Sequence, residues 1–391
     1  VEKKLAADDM EGRKVFTSGI EKAASFIADE FKKAGLQPLK GLKDFKQSFT
    51  MIEAETTEVN ATVDGLPVDN KKLVVFSTSA SLTITPGDHY RKIFIKSAAE
   101  IRPVIFKYID TKENILILMD TSLSKNFARL AMMKLPQFED FGNRVFILTS
   151  KDPHQYNIQI KQKTIRKELT NLVGIIPGSS KPDEYVIFSA HYDHLGIGMP
   201  DQKGDSVFNG ANDDASGTTA VILLADYYHR LHNNQRTLVF AAYTAEEIGE
   251  FGSSYFSGQL DPEKVMAMFN IEMIGTESKW GTNSAYITGY DKSDMGAILQ
   301  KNLGKTQFTF YPDPYPSQNL FLRSDNASLA KLGVPAHTIS TSKMDSEKFY
   351  HTKGDELETL DLKNMTEIIN AIALSAGSII SGMDTPSRIK L

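Results

Sequence analysis

Cysteine is absent from this chain of 391 residues. Disulfides, thiolate metal sites and cysteine nucleophiles are therefore excluded. The absence also suits a compartment where free thiols are a liability, so a periplasmic or extracellular location is expected. The chain opens at VEKKLAADDMEGR, which reads as a start trimmed of a signal segment. Long apolar runs are missing too: no stretch approaches the roughly 18–20 residues of a membrane span. Nor is there a run of five or six Lys/Arg, and the formal net charge is −5. No nucleic-acid partner is expected on such a surface.

What remains is an ordinary globular composition, 41% hydrophobic and 24% charged. The length suits one large domain plus a second unit. Ser18 and Glu21 are spaced as a capping box for a helix over IEKAASFIADEFKKAG, with Gly35 as its stop. Between about 56 and 165, VNATVDG, KLVVFST, SLTIT, KIFIK, VIFKYI, NILILMD and RVFILTS read as short strands. Only FARLAMMKL reads as helical there. From about 166, NLVGIIPG, YVIFSAH, TLVFAAYTA, VMAMFNIEMIG, AYITGY and PAHTIST are apolar strand-like runs, several alternating with helical segments such as SGTTAVILLADYYHRL. This pattern predicts an α/β fold: a mainly parallel, mixed central sheet covered by helices on both faces. Residues 1–55 and 166–391 would form that domain, with 56–165 a β-rich insert. A last helix carries Leu362, Met365, Ile369, Ile372, Ala376 and Ile379 as one apolar stripe toward the sheet.

In open α/β sheets, ligands bind beyond the C-terminal ends of strands. His191, Asp193 and His194 follow YVIFSA, Glu246 and Glu247 follow TLVFAAYTA, and Glu272 follows VMAMFNI. GANDDASG, with Asp213 and Asp214, precedes a helix, and FYHTKGDE brings His351 late in the chain. Two imidazoles and several carboxylates without thiolate suit Zn²⁺, and also Co²⁺ or Mn²⁺. Five such ligands exceed the need of one ion. They fit two ions sharing a carboxylate, the arrangement of a two-metal hydrolase. Glu246, next to a ligand, is then available as general base. Asp193, two residues after His191, is expected to orient the site. His194 is expected to be structural or supporting. His229 and His232 suit an exposed helix C-terminus.

HYDHLG, GANDDASG, TAEEIGEFGS, FNIEMIG and FYHTKGDE, in this order, resemble the metal-site motifs of the M28 zinc peptidases. LAADDMEGRKVFTSGIEKAASFIADEFKKAGLQP and FLRSDNASLAKLGVPA are similar to two further segments of that family. The resemblance implies a zinc-exopeptidase fold and a protease-associated-like insert. It also implies an aminopeptidase acting on peptides through a hydroxide bridging two zinc ions. His191 and Glu272 would hold one zinc, Glu247 and His351 the other, and Asp213 would bridge them, followed by a cis peptide. Glu246 would be the base, and Tyr350 and Arg323 would contact substrate. Two departures stand out: Glu272 where many members have Asp, and Asn326 where His is common. A glutaminyl cyclase with one zinc, a carboxypeptidase of the same superfamily and a non-catalytic binding member are the rival readings.

Overall fold

The apolar runs of the second half of the chain become strands buried on both faces. YVIFSAH ends the strand Lys181–His191, TLVFAAY lies in Arg236–Tyr243, VMAMFNI is Val265–Ile271 and AHTIS is Ala336–Ser340. These four pair in parallel, in the order 336–340, 265–271, 181–191, 236–243. Antiparallel neighbours flank them. Ser284–Ile287 pairs with 336–340 and carries Thr309–Pro312 alongside. Leu172–Ile176, the end of the strand Tyr156–Ile176, pairs with 236–243. The sheet is thus mixed with a parallel centre.

Successive strand residues point to opposite faces, and two cores result. Val186, Phe188 and Ala190 share one core with the helices Ser18–Lys33, Ser216–Leu231 and Leu362–Ser375. Ile187, Val239, Ala241 and Tyr243 join the other, with Phe256, Leu329 and Ala330. The expected last helix is two, Leu362–Ser375 and Gly377–Ile380, with Ala376 between them; of the stripe, Leu362 in the first turn alone is exposed.

The structure is a computed structural model, and it describes residues 1–108, 111–132 and 136–391. They divide into one unit of residues 1–49 and 169–391 and a second of residues 50–168. Both boundaries fall inside or beside long strands, Lys46–Val63 and Tyr156–Ile176.

The second unit contains a four-stranded sheet in the order Leu73–Phe76, Arg144–Leu148, Ile115–Met119, Arg91–Ile95. Here one expectation is corrected. VIFKYI is not a strand: as far as Tyr108 it belongs to the helix Ala98–Tyr108, and Ile109 lies outside the described residues. Ile101, Val104, Ile105 and Tyr108 are spaced at helical intervals and pack on the core of that unit. The Glu100 carboxylate accepts from Lys96 N and Ser97 Oγ, which ties down the helix start. The helical reading of FARLAMMKL holds for its first part, in Ser124–Ala131. Its last three residues are outside the described ones.

The capping box also fails to form. The helix begins at Ser18 after an uncapped Thr17, and Ser18 Oγ donates to the Glu11 carboxylate instead. Lys22 pairs with the same carboxylate at 2.6 Å. The segment before the helix thus takes the hydroxyl that local spacing assigned to the helix amides. Gly35, at φ +78°, follows the helix end as expected.

Candidate metal centre

Three adjacent parallel strands deliver their polar residues to one edge of the sheet. His191 is the last residue of its strand, Glu246 and Glu247 lie just beyond Tyr243, and Glu272 follows Ile271. Asp213 arrives from the turn Ala211–Ala215, immediately before the helix Ser216–Leu231. The Asp213–Asp214 peptide is cis, as the family resemblance implied.

The small residues of GANDDASG have a steric reason. A Cβ on Gly210, at φ +58°, would lie 2.3 Å from the Asp213 carbonyl oxygen and 2.5 Å from the His194 ring. One on Gly217 would lie 2.4 Å from the Asp214 carboxylate. Asp214 accepts from Gly217 N and Met273 N, both at 3.0 Å.

Asp213 stands between two His–carboxylate pairs. His191 Nε2 is 3.2 Å from Asp213 Oδ1 and 3.3 Å from Glu272 Oε1. His351 Nε2 is 3.2 Å from Asp213 Oδ2 and 3.1 Å from Glu247 Oε2. Ligands about 2.0–2.2 Å from a tetrahedral ion stand roughly 3.3–3.6 Å apart, slightly wider than these spacings. The buried Asp213 Oδ2 has no hydrogen-bond partner although His351 Nε2 is within reach. Converging lone pairs of this kind fit a divalent cation better than they fit one another. The nitrogen and oxygen donors suit zinc, cobalt or manganese.

His194 is closer to the cluster than its sequence position suggested. Its Nδ1 lies 2.8 Å from Glu247 Oε1 and 3.9 Å from Asp213 Oδ2, and these three residues also group as donors. The contact with Glu247 is a hydrogen bond. It occupies one carboxylate oxygen and leaves Oε2 toward His351.

The charge balance points the same way. Burial alone would raise the Asp213 carboxyl, but His191, His351 and His194 hold it well below the usual carboxylate range. Burial opposes a charge on His191, yet Glu272, Glu246 and Asp213 raise it well above its ordinary value. His351 is raised to about 10 by its contacts with Asp213 and Glu247. A buried carboxylate cluster needs positive charge; a divalent cation would supply it and leave the imidazoles neutral as ligands.

Glu246 Oε2 is 4.0 Å from His191 Nε2. Burial pushes its carboxyl well above the usual range; His191 opposes this, and Glu272, Asp325 and Glu247 add to it. The Asp193 carboxylate accepts from Glu246 N at 3.1 Å and Glu247 N at 3.3 Å. Asp193 is expected to orient the site, and its carboxylate lies against the Glu246–Glu247 backbone rather than the His191 ring. His191 Nδ1 meets the Asp193 backbone oxygen at 3.2 Å, and the carboxylate oxygen is farther, at 3.8 Å. The strand ends at His191, so the shared-face rule stops there, and the side chain turns to the Glu246–Glu247 amides. Tyr350 stacks on His351, ring centroids 3.9 Å apart. Arg323 and Tyr350 line a cavity beside Glu272.

Three supporting residues had not been singled out from the sequence. Asp355 accepts from Asn212 N and Asp213 N at 2.8 and 2.9 Å. Ser324 Oγ donates to Glu272 Oε2 at 2.6 Å. Arg13 binds the carbonyls of Tyr192, Asn209 and Gly210. Asp355 lies within FYHTKGDE, four residues after His351, where an acid so near a ligand was a usable signal.

The model of peptidase family M28 matches residues 171–376, just over half of the chain. The chain belongs to this family. A probable leucine aminopeptidase of Arthroderma otae is 27% identical over 225 residues, 56% of this chain and 59% of that protein. Leucine aminopeptidase 1 of Blastomyces gilchristii is 26% identical over 207 residues, 50% of this chain and 52% of that protein. The chain spans from about a quarter to about three fifths of the length of the curated relatives it matches. Among solved structures, the zinc aminopeptidase BSAP from Bacillus subtilis matches with a TM-score of 0.59 at 16% identity, covering 99% of this chain and 96% of that one. An aminopeptidase from Aneurinibacillus sp. strain AM-1 gives 0.54 at 15% identity, covering 97% and 96%. At these identities the likeness is one of fold, and it extends over nearly the whole length of this M28 chain.

Proposed function

We propose that this M28 chain is an aminopeptidase that uses two divalent metal ions, zinc first among them, to remove N-terminal residues from peptides. The carrying observation is Asp213, whose two oxygens each lie 3.2 Å from a different imidazole. In this reading His191 and Glu272 hold one ion, Glu247 and His351 hold the other, and Asp213 is shared. Bound ions of this kind polarise a carbonyl and acidify a water molecule.

The remaining tasks fall to the chain's own groups. Glu246, made more basic by burial, takes a proton from the attacking water and returns it to the leaving amine. Asp193 fixes the backbone that carries Glu246 and Glu247. His194 turns Glu247 so that Oε2 faces His351. Tyr350 and Arg323 border the space beside Glu272 where substrate is expected.

Glu246→Gln tests the assignment. It should lower kcat for an aminoacyl anilide by about 10²–10⁴-fold while two zinc ions per chain are retained. Activity near wild type would remove Glu246 from the mechanism. One ion per chain, together with cyclisation of an N-terminal Gln peptide, would instead favour the glutaminyl cyclase reading.

A further inference from the structure

His191 and Glu272, assigned above to one ion, stand at the ends of neighbouring parallel strands. Two residues before each stand Ser189 and Asn270, opposite one another in the pairing. Both are buried, as are Ser324, Asn326 and Thr338. Ser189 Oγ donates to Asn270 Oδ1 at 2.9 Å. Asn270 Nδ2 donates to Ser324 Oγ at 2.8 Å and to Thr338 Oγ1 at 3.1 Å. Ser324 Oγ donates in turn to Glu272 Oε2 at 2.6 Å, and Thr338 Oγ1 to Asn326 Oδ1 at 2.8 Å.

The direction of this chain is fixed from its ends. An ionised carboxylate only accepts, so Ser324 spends its one proton on Glu272. Toward Asn270 the Ser324 oxygen can then only accept, and Asn270 must present its NH₂ group there. The second branch demands the same. Asn326 Nδ2 is committed to the carbonyls of Phe321 and Ala336 at 3.0 and 3.2 Å. Its oxygen takes the Thr338 proton, so Thr338 too can only accept from Asn270. The amide oxygen is left for Ser189. Asparagine carries two hydrogens on one atom and an acceptor beside them, which is what this position requires.

We propose that Asn270 is a positioning residue for the metal centre. By donating to Ser324 it turns that hydroxyl's proton onto Glu272 Oε2 and so holds Glu272 Oε1 beside His191, 3.3 Å from Nε2. The proposal rests on the two-ion reading above and adds a residue that acts on one ion through Ser324. With an apolar side chain at 270, Ser324 can turn its proton elsewhere, and Glu272 Oε2 loses a fixed partner.

The test is calorimetric zinc titration of metal-free protein in the presence of a competing chelator. Asn270→Leu keeps the number of side-chain heavy atoms and removes the donors. It should weaken one site about tenfold or more, as loss of a partner that orients a metal ligand does, and leave the other within about twofold. Thr338→Val removes the branch that does not reach Glu272 and should leave both sites within about twofold. Asn270→Leu combined with Ser324→Ala should lose little more than Ser324→Ala alone, because groups that act through one another are not additive. Ser189→Ala is the milder variant should Asn270→Leu fail to fold: the amide is then free to turn over, and the same site should weaken about threefold. Unchanged affinity in Asn270→Leu or in Ser189→Ala overturns the proposal and leaves the two-ion reading standing. So do equal losses at both sites, the same loss in Thr338→Val, or losses that multiply in the double variant. Uptake of fewer than two zinc ions by the wild type overturns the two-ion reading and this proposal with it.

Discussion

Arg13 reaches across the sequence to Gly210: its Nη2 donates to the Gly210 carbonyl at 2.9 Å, three residues before Asp213. The guanidinium is fully buried, and its other bonds go to the carbonyls of Tyr192 at 2.9 Å, Leu5 at 2.7 Å, Asn209 at 2.5 Å and Asp213 at 3.5 Å. The partners are backbone oxygens; that of Gly210 also accepts from Ala215 N at 3.2 Å, and those of Tyr192, Leu5 and Asn209 depend on the guanidinium. A cation from the start of the chain therefore fixes both the loop before Asp213 and the backbone after His191.

Arg13→Ala should leave the Tyr192, Leu5 and Asn209 carbonyls without this partner in a dry interior. Each buried orphan costs about 1–3 kcal/mol, so a loss of roughly 3 kcal/mol or more is expected. Chemical denaturation of metal-free protein measures it. A loss below about 1 kcal/mol would mean that water takes over the contacts and that Arg13 does not hold the loop.

Asp213→Ala should remove both metal ions together. The single carboxylate faces His191 with one oxygen and His351 with the other, so neither half keeps its ligand set. Metal content by mass spectrometry after dialysis should fall from two per chain toward zero. Retention of one ion at full occupancy counts against a shared ligand.

Ser324→Ala should weaken only the ion assigned to His191 and Glu272. Ser324 donates to Glu272 Oε2 and is itself held by Asn270 Nδ2 at 2.8 Å. The longer Glu, with an additional rotatable bond, needs such an anchor to keep Oε1 near His191. Loss of a supporting hydrogen bond of this kind costs about 10–100-fold in metal affinity. Calorimetric zinc titration should record that loss at one site, with recovery in Ser324→Thr. Equal weakening at both sites, or no recovery with Thr, would reduce Ser324 to general packing.

His337 gives the protein an acid sensitivity away from the metal centre. Burial lowers its pKa from 6.5 to about 4. Its ring is held neutral between the Thr288 carbonyl at 2.8 Å and the Ser293 hydroxyl at 2.7 Å. The unfolded chain binds this proton more readily, so the stabilising effect is complete above about pH 6.5 and is lost as pH falls toward 4. At about 1.4 kcal/mol per unit, the span is about 3 kcal/mol. Urea unfolding of wild type and His337→Gln should converge by that amount between pH 6.5 and 4. Parallel curves would rule out His337 as the source.

Much of the site was legible because its residues follow apolar runs. His191 ends a strand, and Glu246, Glu247 and Glu272 come just after strands, whose composition announces them. The buried parallel centre of the sheet was readable for the same reason. VIFKYI misled because its β-branched and aromatic residues suit a strand, while Ile101, Val104, Ile105 and Tyr108 together have helical spacing. Ser18 misled because a capping box is a local pattern, and Glu11, seven residues earlier, competes for the same hydroxyl.

The sequence by itself determined which chemical groups exist and at which strand ends they stand. Nitrogen and oxygen ligands without thiolate, and a carboxylate beside a ligand, are facts of composition and order. Tertiary structure decided what holds them. Arg13 meets Gly210 across 197 positions, Asp355 meets Asp213 across 142, and Ser324 meets Glu272 across 52. These contacts join side chains to backbone or to one another through the folded sheet, and no local spacing encodes such distances. The turn of Asp193 toward Glu246 and Glu247 has the same cause: where a strand stops, its neighbours in space decide which way the next side chain points.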